Sequence, residues 1–73
     1  MQPTQPQLLD VVALTEDLGS DGLLRGQVGT VVEDLGGGAF EVEFSDDRGQ
    51  TYAQVTLRAD QLMVLRYRPS KVA

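Results

Sequence analysis

AFEVEF, Ala39 to Phe44, alternates apolar and acidic side chains one for one. Successive side chains of a β-strand point to opposite faces, so Phe40, Val42 and Phe44 fall on one side and Glu41 and Glu43 on the other. The stretch is predicted to be a strand with a buried apolar face and a solvated acidic one. Its neighbours extend the pattern. Three glycines, Gly36 to Gly38, precede it and suit a hairpin, because glycine takes positive φ without a steric penalty. Before them QVGTVVEDL, Gln27 to Leu35, reads as a second strand. Val28, Val31 and Val32 do not share one parity, and a bend or bulge near Gly29 is expected to reconcile them.

On the C-terminal side, Ser45 to Gly49 forms a turn. The next strand, Gln50 to Leu57, places Ala53, Val55 and Leu57 on one face and Gln54 and Thr56 on the other. Arg58 to Gln61 is too short for an α-helix and suits one 3₁₀ turn, leading into an apolar strand from Leu62 to Tyr67. Toward the N-terminus, Asp10 to Leu14 reads as the first strand, followed by a long loop from Thr15 to Arg25. Residues 1–7 are read as a flexible leader and residues 69–73 as a flexible tail around one domain at 8–68. Five short strands with a 3₁₀ turn before the last predict an all-β fold, a small SH3-like barrel closed on itself.

The chain has 73 residues, 41% of them hydrophobic and 23% charged, with six basic and eleven acidic residues for a net charge of −5. That charge repels phosphate backbones, so nucleic acid is not an expected partner. No apolar run approaches the roughly 20 residues of a membrane span, and no basic and apolar leader reads as a secretory signal, so the expectation is a cytoplasmic protein without a membrane partner. The absence of cysteine and histidine removes disulfides, thiolate zinc sites and every histidine-based triad. Asp46 and Asp47 beside Glu43 match no calcium loop, and the triple glycine lacks the Lys and Ser/Thr of a phosphate loop. No cofactor, metal or catalytic residue is expected.

Charge is divided along the chain. Residues 1–47 carry ten acids and one base (net −9), residues 48–73 five bases and one acid (net +4). One consequence is cross-strand ion pairing, with Glu41 or Glu43 opposite Arg48 or Arg58. The other is an acidic face of Glu33, Glu41, Glu43, Asp46 and Asp47 that steers a basic partner. Tyr52, Gln54 and Thr56 add an outward polar stripe, and the apolar run from Leu62 to Leu65 offers a face that a second copy or the N-terminal segment could cover. The glycine and valine spacing of RGQVGTVVED, Arg25 to Asp34, is similar to that of KOW-type barrels but has no basic loop beside it.

LLDVVALTEDL (Leu8 to Leu18), GLLRGQVGTVVEDLGGGAFEVEF (Gly22 to Phe44) and TYAQVTLRADQLMVL (Thr51 to Leu65), in that order, resemble the bacterial family DUF4926, a domain of unknown function. The resemblance implies a small SH3-like fold and transfers no catalytic residue. Other small barrels of this shape serve mostly as accessory subunits. One, the type II dihydrofolate reductase, is an oligomeric enzyme with a pore strand to which Ala53, Gln54, Val55 and Thr56 are the nearest segment here, Gln54 alone matching a functional residue type. The reading is a non-catalytic module that docks on a protein partner, such as the product of a neighbouring gene, through Glu33, Glu41, Glu43, Asp46, Asp47, Tyr52 and Gln54 or through a sheet edge. The alternative is a self-associating barrel or weak homodimer, or more remotely a pore enzyme.

Overall fold

The computed structural model describes residues 5–69. Residues 1–4 of the expected leader and 70–73 of the expected tail lie outside them. Five strands, β1 (Val11–Leu14), β2 (Val28–Gly36), β3 (Ala39–Ser45), β4 (Thr51–Arg58) and β5 (Leu62–Val64), form one antiparallel sheet in the order β4-β3-β2-β1-β5. A 3₁₀ turn at Ala59–Gln61 links β4 to β5, and a second, at Gly19–Asp21, lies in the long loop. The fold is all-β, as the alternation predicts. Among the described residues no helix is long and apolar enough to cross a membrane.

The alternation in β3 builds the core directly. Phe40, Val42 and Phe44 are buried, while Ala39, Glu41, Glu43 and Ser45 between them are only half-buried. Val31 on β2 and Leu57 on β4 lie on the same inner side, and Val12, Leu14 and Leu62 close the core from β1 and β5. Leu23 completes it from the long loop, where Leu18 and Leu23 bridge each other in antiparallel fashion.

Three expectations are corrected. The sheet is not closed: β4 and β5 are its two edges. The 3₁₀ turn carries the chain across one end of the sheet, and the short β5 then pairs only with β1. β5 also stops at Val64 rather than Tyr67. Its partner β1 begins at Val11, where Leu65 makes the last bond, N–H to O at 2.9 Å, so Arg66 onward has no strand to follow.

The irregularity of β2 lies at Val32 and Leu35 rather than at Gly29, because the register with β3 shifts between Val31 and Glu33 and again between Asp34 and Gly36. Gly29 serves close approach instead: a Cβ there would stand 2.8 Å from the Glu43 carbonyl oxygen. Ahead of Leu8 the described chain makes contacts of its own. Pro6 is buried, and the Gln7 N–H donates to Asp10 Oδ2 (2.9 Å) while the Asp10 N–H donates back to the Gln7 carbonyl (3.0 Å).

Candidate functional site: an acidic sheet face

Cross-strand pairs share a face, so the register sets out the outward surface row by row. Glu33, Glu41 and Thr56 make one row across β2, β3 and β4, and Thr30, Glu43 and Gln54 make the next. The extra residue at Val32 is what turns Glu33 outward; in an unbroken strand with Val31 facing in, residue 33 would face in as well. Two carboxylates, Glu33 and Glu41, thus stand directly opposite each other, an arrangement that disfavours the fold.

Glu41 is the organised member of the group. Thr56 Oγ1 donates to its Oε1 at 2.6 Å and Gln54 Nε2 to its Oε2 at 3.0 Å. These two hydrogen bonds, that from Thr56 first, favour the charged form and hold the Glu41 carboxyl below its ordinary 4.5, against a small opposing effect of desolvation. Neither Glu33 nor Glu43 meets a cation among the described residues. The expected pairing of Glu41 or Glu43 with Arg48 or Arg58 does not form. Register places Arg58 across from Ala39, and its guanidinium turns to Asp60 at 3.0 Å. Arg48 sits in the turn, where its N–H donates to Asp46.

The other sequence-predicted residues separate from this face. Asp46 is committed to the β3–β4 turn: its Oδ1 accepts from the backbone of Arg48 and Gln50, each at 2.9 Å. Asp47 is an exposed residue of the same turn. Tyr52 falls at the register shift between Phe44 and Ser45, which takes it out of the Gln54 and Thr56 stripe. Its ring lies 6.4 Å from that of Phe44, and its hydroxyl accepts from Gln27 Nε2 at 2.9 Å. The structure therefore brings together Glu33, Glu41, Glu43 and Gln54, with Thr30 and Thr56 beside them.

A second outward surface was not assigned from sequence as a unit. Met63 of β5 and Val28 of β2 flank the buried Ala13 of β1 in one row, with Met63 54% and Val28 46% exposed. Parity along β1 and β2 carried the signal, but assigning it required knowing that β1 lies between β2 and β5.

The family model for Domain of unknown function (DUF4926) matches residues 8–64, from the turn before β1 to the last residue of β5. The chain belongs to this family. The DUF4926 match thus contains all five strands and every residue of the acidic face. No curated protein and no solved structure matches the chain.

Proposed function

We propose that this DUF4926 domain is a non-catalytic protein-binding module whose outward β2–β3–β4 face receives a basic surface of a partner protein. The observation that carries the reading is the grouping of Glu33, Glu41 and Glu43 on one face with no cation paired to them among the described residues. An opposed pair of carboxylates works against the fold, which favours a role for it outside the fold. Glu41, fixed from both oxygens' sides by Thr56 and Gln54, is pre-oriented as an acceptor for an arginine or lysine. Charges outside a buried core chiefly set association rate and partner choice, which suits an accessory module.

The test is titration with an arginine-rich peptide followed by amide NMR. The expected result is shifts centred on β3 and β4 that disappear at high salt and in the double variant Glu41→Lys, Glu43→Lys, with its fold intact by circular dichroism. Shifts of equal size at Asp17, Asp21 and Asp47, or binding unchanged in the double variant, would sink the proposal.

A further inference from the structure

The open sheet leaves the longer edge, β4, with its outer side bare. No backbone hydrogen bond beyond the β3 ladder reaches residues 51–57 among the described residues. The phase of that ladder is fixed at its end. The Ala59 N–H donates to the Gly38 carbonyl at 3.0 Å, continuing the β3–β4 register, so Ala53, Val55 and Leu57 direct their backbone groups to β3. Gln54, Thr56 and Arg58 direct theirs off the edge. Arg58 confirms the phase, since its N–H is taken by Gln61 Oε1 at 2.9 Å. The unclaimed edge groups between the Tyr52 irregularity and Arg58 are therefore the N–H and C=O of Gln54 and of Thr56.

These four groups are arranged symmetrically about Val55. We infer that β4 pairs antiparallel with β4 of a second copy across a two-fold axis at Val55, joining two five-stranded sheets into one of ten strands. In that register Gln54 faces Thr56 of the other copy and the reverse, and each pair exchanges two N–H···O bonds. Shifting the centre to Gln54 would call on Tyr52, which lies at the register shift. A centre at Thr56 would call on the Arg58 N–H, already bound.

Side chains agree with the same register. Val55 meets Val55, and Ala53 meets Leu57, on the inner side. Ala53 and Val55 are only half-buried, although their β3 partners Phe44 and Val42 are fully buried, so a further strand would cover what the core leaves open. No residue from Thr51 to Leu57 is charged or proline, the devices that usually protect a free edge. Arg58 falls opposite Tyr52 rather than another cation, so no like charges meet across the seam. The two β3 strands would lie about 14 Å apart, three strand spacings, beyond the roughly 8 Å screening length in physiological salt. The acidic faces therefore do not prevent the pairing.

The edge is small. Eight residues at ~3.4 Å, about 10 Å deep, give on the order of 270 Å² per copy, below what stable complexes bury. The dimer is accordingly weak and dissociates on dilution.

The chain has no cysteine, so single cysteines read the register cleanly. Val55→Cys places two thiols across a non-hydrogen-bonded pair, about 4.5 Å between Cα atoms and within disulfide range; Gln54→Cys places them on a diagonal, roughly 7–8 Å apart. On mild oxidation at roughly millimolar protein, Val55→Cys should crosslink at least about tenfold faster than Gln54→Cys. Light scattering of the unmodified chain should show a dimer fraction that rises with concentration and falls in Gln54→Pro, which removes an outward N–H without touching the β3 ladder. Equal crosslinking rates, or a monomer at every concentration, would overturn the inference. The Glu41→Lys, Glu43→Lys variant should crosslink through Val55→Cys as before, which separates this pairing from the proposed partner site.

Discussion

The outward surface of β2, β3 and β4 and that of β5, β1 and β2 belong to one sheet but carry opposite chemistry. The first presents Thr30, Glu33, Glu41, Glu43, Gln54 and Thr56; the second presents Met63 and Val28 on either side of the buried Ala13. Inside, both halves supply the same kind of side chain to one cluster, Phe40, Val42 and Phe44 from one and Val12, Leu14 and Leu62 from the other. The difference teaches that inward positions are constrained by packing wherever they lie, whereas outward positions are free to be shaped by what the protein meets. Substitutions on the two sides of β3 should therefore differ in kind.

The largest effect is expected at Phe44. Its truncation to alanine removes one of the largest fully buried side chains and should destabilise by about 3–5 kcal/mol. That is comparable to what one core of this size supplies, so Phe44→Ala should show no cooperative thermal transition by circular dichroism. A folded variant with a small shift in midpoint would show that the inner face matters less than its burial suggests. Gly29→Ala comes next. The added methyl would meet the Glu43 carbonyl oxygen and Val42 Cγ1, each at 2.8 Å, and the expected cost is about 1–3 kcal/mol in chemical denaturation.

The smallest effect lies on the outward side. Removing the Thr56 hydroxyl with Thr56→Ala should let the Glu41 carboxyl rise toward 4.5 in a carboxyl NMR titration, with little change in unfolding at neutral pH. The sign follows from the lowered value. Whatever stability Glu41 contributes is complete above 4.5 and is lost as pH falls through its folded-state value, so the variant should narrow that acid-side loss. An unmoved Glu41 titration would show that the Thr56 contact does not hold the carboxylate.

Much of the architecture was legible because β3, and β4 from Ala53 onward, keep strict parity, and because Gly36 to Gly38 and the stretch before Leu62 punctuate the chain at turns. Leu23 was not legible. It sits among loop residues with no periodic neighbours, and only the bridge to Leu18 brings it into the core. The length of β5 was overread because apolar content from Leu65 to Tyr67 says nothing about whether a partner strand extends that far. Of the candidate site, Glu41, Glu43 and Gln54 followed from parity alone. The place of Glu33 depended on a bulge, and the separate duties of Asp46 and Tyr52 on a turn and a register shift that composition does not locate.

The additional residue at Val32 bears on how this chain can tolerate changes of length. Losing Val32 would only restore plain alternation, with Val31 inward and Glu33 still outward opposite Glu41, whereas losing Val42 from the unbroken alternation of β3 would turn a glutamate toward the apolar interior. The Gly36 to Gly38 bend, only a few positions further on, lies outside the packed interior and could lengthen without such a reversal. Related chains should therefore vary in size at the bend, and tolerate loss of the residue at Val32, while keeping a constant count of residues from Phe40 to Phe44.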